Sequence, residues 1–451
     1  METPIADFVS RYAKSGTARL HMPGHKGAAR LGCEPLDITE IRGADELYAA
    51  DGIIAESERN AAALFGTGAT YYSAEGSSQC IRAMLYLAMT RAPKKTYVLA
   101  ARNVHKAFVY ACALLDIRAE WLWPEDGTDS LCRCRVSPEQ LARALDAAAE
   151  QPFAVYVTSP DYLGGTQDIA GLAKVCREHG VPLLADNAHG AYLRFLEEDR
   201  HPITLGAAMC CDSAHKTLPA LTGAAYLHLS RDFPVPPETA RGAMCLFGST
   251  SPSYLILQSL DLCNAELAGS FPARLRECVR RASETRKALN AIADGLCAEC
   301  DEPLKLTLDA RAVGRSGEAL ADALRLGGVE CEYADRRYAV LMVSPDTSEE
   351  DLRRVLKAIP VSGHTAETDD TAELFAELRT ELTRGMTIRE AVLAPQETIP
   401  AGEALGRVCA MPSVSCPPAI PIAVSGEVIT PAAVKLMRRY GIGKVAVVKE
   451  K

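Results

Sequence analysis

SAHKTLPALTG, residues 213–223, is the stretch on which the reading of the fold turns. It sets a histidine and a lysine, His215 and Lys216, among small or weakly polar residues. An apolar run, AAMCC at 207–211, leads in, and another, AAYLHL at 224–229, leads out. Burial disfavours the charge of an amine. A lysine here is therefore either a surface residue on a loop or a reactive group in a cleft, and the surrounding sequence has to decide.

Residues 60–270 alternate short β-rich runs with helical patterns. The runs 96–101, 153–158, 181–185, 207–212 and 224–229 read as strands. The segments 77–90, with Ile81, Met84, Leu85 and Ala88 on one face, and 171–179 read as helices. Uninterrupted apolar strands separated by helices imply an α/β fold with a mostly parallel sheet covered on both faces. The division expected is an N-terminal arm (1–60), a large domain (61–270), a small α+β domain (271–360) and a C-terminal α+β domain (361–451). In the small domain a helix at 274–294 precedes a strand at 304–308, a helix at 317–326 stopped by Gly327-Gly328, and a strand at 338–343. A further helix follows Ser348, which forms a capping box with Asp351 and has Leu352, Val355, Leu356 and Ile359 on one face. Residues 361–370 read as a linker, and 412–421 are rich in proline.

At 451 residues the chain has room for several domains, and its net charge of −9 argues against a general nucleic-acid binder. No apolar stretch has the length of a signal peptide or a membrane span. The expectation is a soluble cytoplasmic protein that engages neither membrane nor nucleic acid. The sixteen cysteines are scattered, apart from CRC at 132–134, CC at 210–211 and one CAEC at 297–300. A lone C-x-x-C without a second pair is weak evidence for zinc, so the cysteines read as free thiols in a reducing compartment and no metal is expected.

Position carries the functional signal. RNVHK (102–106), SPDYLGG (159–165), DNAHG (186–190) and SAHK (213–216) each follow the C-terminal end of an expected strand. That edge of an open α/β sheet is where ligands bind. EGSSQ (75–79) adds a phosphate cradle, because Gly76, Ser77 and Ser78 open the helix at 77–90 with free N–H groups and two hydroxyls. An ordinary N-cap serine would look the same in isolation. A lysine beside a phosphate site points to a Schiff base with pyridoxal 5'-phosphate on Lys216. Asp186 would pair with the protonated pyridine nitrogen, and His105 would lie on the ring. Read singly, Asp186 is equally a helix cap and His105 a satisfied loop histidine.

These residues carry a resemblance. HMPGHKG (21–27), EGSSQ (75–79), RNVHKAF (102–108), DNAHGAYLRF (186–195), SAHKTLPALTG (213–223), STSPSYLILQSLD (249–261) and CPPAIPIAVSGE (416–427) lie in order along almost the whole chain. Together they resemble the ornithine/lysine/arginine decarboxylases, pyridoxal-phosphate enzymes of fold type I (aspartate-aminotransferase-like), in the short form that lacks an N-terminal wing domain. The resemblance implies that Lys216 bears the cofactor, Asp186 holds the pyridine nitrogen, His105 stacks on one ring face and Ala188 lies near the other. It implies that Ser77, Ser78, Ser213 and His215 bind the phosphate, and that Thr250 reaches the phosphate of a neighbouring subunit in a homodimer, with room for a higher assembly. His189 receives only a site-lining role. His21, His25 and Lys26 either shape the neighbour's pocket or order the arm. Two departures, Glu75 for the family's frequent threonine or asparagine and Gly223 for a frequent glutamine, bear on pocket size. The implied reaction is α-decarboxylation of a basic amino acid, arginine before lysine or ornithine, giving CO2 and a diamine or polyamine. Lys216 or His215 would return the proton. An aminotransferase, aldolase or desulfurase of the same fold, and a non-catalytic cofactor-binding scaffold, are the rival readings.

Overall fold

The structure is a computed structural model that describes residues 1–360, 370–412 and 418–450. The expected linker at 361–370 falls almost wholly, and the Pro-rich 412–421 segment partly, outside the described residues. The strands are β1 (Ala69–Ser73), β2 (Tyr97–Ala101), β3 (Arg118–Leu122), β4 (Ala154–Thr158), β5 (Leu183–Asp186), β6 (Met209–Asp212), β7 (Ala225–Leu229), β8 (Lys305–Asp309), β9 (Tyr333–Ala334), β10 (Tyr338–Met342), β11 (Gln396–Pro400) and β12 (Lys444–Val448). The chain forms two compact units. The first comprises Met1–Thr96, Ala147–Ser159 and Asp168–Ala273, and the second Tyr97–Asp146, Pro160–Gln167 and Arg274–Lys451.

In the first unit the strand order is β1-β7-β6-β5-β4. β4, β5 and β6 run parallel, whereas β7 lies antiparallel to both β6 and β1. β5, β6 and β7 are buried along their whole length, as expected for strands covered on both faces. Helices Ser77–Arg91 and Ile169–Glu178 stand within two residues of their expected positions. Strand β1 and helices Pro4–Lys14 and Ile53–Phe65 were not anticipated.

In the second unit β2 and β3 pair in parallel, β8-β10-β9 form an antiparallel sheet, and β11 pairs antiparallel with β12. The helix Gly317–Leu326 matches its expected bounds, and Ser348 and Asp351 close a reciprocal capping box ahead of Glu349–Ala358. Arg102 is a buried anchor. Its guanidinium donates to the carbonyls of Pro421 (3.0 Å) and Ile422 (2.9 Å) and to Glu427 (3.1 Å). The RNVHK and IPIAVSGE motifs therefore hold one another, and a charged pair this deeply buried is strongly destabilising to break.

Candidate active site

β4, β5 and β6 end side by side, with Thr158 registered on Asp186 and Asp186 on Cys211. The DNAHG turn that follows β5 is pinned at several points. The Asn187 N–H donates to Cys211 O (3.0 Å), the Asn187 side chain to Asp212 Oδ1 (2.7 Å), and the Gly190 N–H to Asn187 O (2.8 Å).

Asp186 is 2% exposed. Its Oδ2 accepts from Tyr156 Oη (3.1 Å), and its Oδ1 accepts from the Ala188 N–H (3.1 Å) and the Cys211 thiol (3.5 Å). All three donors are neutral. Burial pushes the Asp186 pKa above the ordinary carboxylate value, and the Lys216 charge only partly offsets this. A cationic N–H set against this carboxylate would supply the counter-charge that it lacks.

Lys216 sits on the single helical turn Ala214–Thr217, half-buried, with Nζ 3.0 Å from His189 Nε2. His215 donates Nδ1–H to the carbonyl of Ala224 (2.9 Å). Ser213 is the cap residue of this turn but makes no side-chain capping bond, and its buried Oγ has no hydrogen-bond partner among the described residues. Leaving a buried hydroxyl unpaired costs about 1–3 kcal/mol, which an acceptor placed beside it would relieve.

The helix Ser77–Arg91 is capped by Gly76, at φ 71°, with no side chain to close its first N–H groups. Ser77 and Ser78 are half-buried at that end. The Gly76 N–H donates to Gly223 O at 2.8 Å, so the two motifs meet through their backbones. Gly223 lies at φ +97°, and a Cβ there would stand 3.2 Å from the Ala74 carbonyl oxygen. The family's frequent glutamine would be strained in this backbone. Gln79, the last residue of EGSSQ, is buried and bound to Ser73, Tyr48 and the Met244 carbonyl, which makes it architectural.

Thr250 is exposed. Its neighbour Ser249 donates its N–H to Glu75 Oε1 at 2.7 Å, which sets the start of STSPSY against the EGSSQ motif of the same chain. Ala188 is buried in the pinned turn. His105 lies in the second unit, where it caps helix Lys106–Leu115 by accepting the Ala107 N–H at Nδ1 (3.1 Å). In SPDYLGG, Asp161 accepts from the Leu163 and Gly165 N–H groups of its own turn (2.8 and 2.9 Å). In HMPGHKG, His25 bridges Asp37 (3.1 Å) and the Gly27 N–H (2.9 Å), and Lys26 donates to His21 O. These contacts tie the segment to itself, to Asp37 and, through His21, to Tyr12.

Sequence reasoning missed a buried cluster beneath these turns. Asp212 Oδ2 lies 3.0 Å from His201 Nε2 and 3.3 Å from His228 Nε2, and Thr70 Oγ1 lies 2.8 Å from His228 Nδ1. Burial opposes ionisation of Asp212, but the two imidazoles outweigh it and hold the pKa well below the carboxylate range. Burial lowers that of His228. His201, Cys210 and Asp212 also bring three potential ligand atoms within 4.8 Å, in a group already joined by the Asp212–His201 hydrogen bond. Tyr156 was missed too. A tyrosine inside an otherwise apolar run was the available signal, because a buried phenol seeks a partner.

A family model described as Orn/Lys/Arg decarboxylase, major domain, matches residues 3–319. An arginine decarboxylase of Bacillus subtilis (strain 168) is 29% identical over 455 residues, covering 95% of this chain and 91% of that protein. An arginine decarboxylase of Halalkalibacterium halodurans is 27% identical over 464 residues, covering 97% and 93%. The solved constitutive lysine decarboxylase of Escherichia coli superposes with a TM-score of 0.75 at 18% identity, over 99% of this chain and 82% of that one. That likeness shows the fold, that of the fold type I pyridoxal-phosphate enzymes. The family match spans most of the sequence, and the chain belongs to the Orn/Lys/Arg decarboxylase family.

Proposed function

We propose that the protein decarboxylates a basic amino acid, arginine first and lysine or ornithine next, with pyridoxal 5'-phosphate held at the ends of β4–β6. One observation carries the reading: a half-buried amine, Lys216, shares that edge with a buried carboxylate lacking a full counter-charge, Asp186, and a buried unpaired hydroxyl, that of Ser213. Amine, carboxylate and hydroxyl match the aldehyde, pyridinium and phosphate of that cofactor. When bound, it supplies an electron sink for the pair left on Cα as CO2 departs.

The chain's own groups do the rest. Lys216 Nζ would hold the cofactor through its aldehyde carbon and would yield that position to the substrate amine. Asp186 keeps the ring nitrogen protonated. The open N–H groups at Ser77 and Ser78, with the hydroxyl of Ser213, cradle the phosphate, and Ala188 walls the site. His215 Nδ1 is committed to Ala224 O, which orients its ring for a phosphate contact. His105 keeps the stacking role that the resemblance implies.

Arginine is preferred because the full-length curated relatives reported above are named arginine decarboxylases. A homodimer that shares its sites through Thr250 is the assembly proposed. Leu20, Met22 and Leu31 of the N-terminal segment are 94, 71 and 89% exposed, an apolar surface that a second copy would cover. The cytoplasm is the compartment proposed, supported by fifteen described cysteines that are all free. No described helix is long and apolar enough to cross a membrane.

Borohydride reduction of the purified protein followed by peptide mapping tests the site, and the reduced adduct is expected on Lys216. An adduct on Lys26 or Lys106 instead would overturn the assignment. A panel of arginine, lysine and ornithine, with CO2 and amine product both measured, tests the reaction. Keto-acid product without CO2 would favour an aminotransferase, and cofactor binding without turnover of any amino acid would favour the scaffold.

A further inference from the structure

His189 is 6% exposed, and its Nε2 lies 3.0 Å from Lys216 Nζ. The position is not incidental. The residues around it are tied down in turn: Asn187 by its backbone to Cys211 and by its side chain to Asp212, Ala188 to the Asp186 carboxylate, and Gly190 to Asn187. Asp212 is itself held by His201. A turn pinned on both sides of a residue gives that residue's ring few places to go, and here the ring faces the amine. His215, the other histidine beside Lys216 in sequence, has its Nδ1 engaged by the Ala224 carbonyl at 2.9 Å.

An amine attacks a carbonyl only as the free base, so a lysine that has to bond an aldehyde must first lose a proton. A base within hydrogen-bond reach of that proton is the requirement for general base catalysis. His189 Nε2 meets it.

We propose that His189 is the proton relay of Lys216. One proton passes from the Nζ ammonium to His189 Nε2. The electron pair freed on Nζ forms the bond to the carbon of an aromatic aldehyde. That carbonyl's oxygen takes a second proton from Nζ and the first back from His189 and leaves as water, while Nζ keeps its last proton and the positive charge in a double bond to the carbon, so charge and atoms balance with no further reactant. The reverse passage serves when the lysine is displaced by a substrate amine. This assigns His189 a catalytic role beyond the site-lining one expected with the resemblance, and it rests on the reading of Lys216 as the aldehyde-binding group.

Cofactor capture by the cofactor-free protein tests it without reference to turnover. Pyridoxal 5'-phosphate is mixed rapidly with the full chain, and the absorbance of the bound form is followed for the parent, His189→Ala, His189→Gln and Lys216→Ala. Lys216→Ala should yield no borohydride-stable adduct. Both His189 variants should capture about 100-fold more slowly than the parent at neutral pH. Free imidazole should accelerate His189→Ala in proportion to its concentration, because the small base can occupy the space left by the ring. A structural histidine would show no such rescue. His189→Gln keeps a polar group of similar reach against Nζ, and circular dichroism and thermal melts should match the parent. Capture by His189→Ala at the parental rate, or slow capture that imidazole fails to accelerate in a folded variant, overturns the relay. A parent that forms no adduct, or an adduct that survives in Lys216→Ala, overturns the reading of Lys216 instead, so the two failures are distinguishable.

Discussion

Asp186 and Asp212 end neighbouring parallel strands, both closed off from solvent, and they respond to burial in opposite ways. Asp212 is met by the imidazoles of His201 and His228 and by the amide of Asn187, and its pKa falls despite burial. Asp186 is met by a phenol, a thiol and one backbone N–H, and its pKa rises because of burial. The first carboxylate has found its partners within the protein and supports the turns above it. The second is held in place with its charge incompletely answered. The lesson is that burial alone does not mark a site: the donors around a buried charge do.

The comparison breaks most visibly under amide substitution. Asp186→Asn should lower turnover by about 100- to 1000-fold, the range for removing one preorganised electrostatic partner of a reacting group. It should leave the melting temperature of the cofactor-free protein unchanged or raised, since the substitution removes a buried charge with only neutral donors. Steady-state CO2 release and calorimetry would measure both. Activity within a few-fold of the parent would sink the role given to Asp186.

Asp212→Ala should show the reverse balance. Two buried imidazoles and the Asn187 side chain lose their common acceptor, and stability should fall by about 1–3 kcal/mol for each buried donor left unpaired. Urea unfolding of the cofactor-free protein would register this directly. A variant that melts with the parent would mean that these donors find other partners and that the contrast between the two aspartates is only geometric.

The pH dependence of stability should separate them by sign. The folded protein holds the Asp186 proton at pH values where an unfolded aspartate, near 3.8, has already released it. Its contribution therefore declines as pH rises from that value through the raised folded pKa. Asp212 stays charged in the folded protein at pH values where the unfolded residue takes up a proton. Its contribution is present above 3.8 and is lost as pH falls below it. Measured across acid pH, Asp186→Asn should therefore gain stability relative to the parent as pH rises, whereas Asp212→Asn should lose stability relative to the parent as pH rises. Each unit of pKa shift is worth about 1.4 kcal/mol. Parallel pH profiles for the two variants would refute the assignment.

Much of this was legible in the chain, and the remainder was not for identifiable reasons. β4 to β7 stand within two residues of their expected positions, because a run buried on both faces needs no alternation to be recognised. β3, RAEWL, escaped notice because Arg118 and Glu120 interrupt its apolar residues. The Ser348 capping box was readable because its partners sit three residues apart. The Asp212 cluster was not. His228 faces Cys210 only because β7 runs antiparallel to β6, a direction that apolar patterning does not encode. The clue was the connection 213–224, which holds a single helical turn and is short for a parallel crossover. Lys216, Asp186 and the serines were singled out by type and place, whereas the proposed relay, His189, was not. Its role depends on a turn pinned by hydrogen bonds to β6 residues more than twenty positions away.

The smallest effect expected tests how far Asp186 depends on its neutral donors. Tyr156 donates to Asp186 Oδ2 at 3.1 Å from within β4, and that bond favours the ionised carboxylate. Tyr156→Phe keeps the ring in the core and removes only the hydroxyl. The Ala188 N–H and the Cys211 thiol remain, so the carboxylate is weakened as a partner for a pyridinium but not lost. Turnover should fall about ten-fold, equivalent to 1.4 kcal/mol, toward the lower end for a hydrogen bond to a charged group. The apparent affinity for pyridoxal 5'-phosphate should weaken in the same proportion. A loss as large as that of Asp186→Asn would mean that the phenol fixes the carboxylate's position rather than tuning its charge. No loss at all would mean that a bound cation answers Asp186 so fully that its neutral donors no longer count.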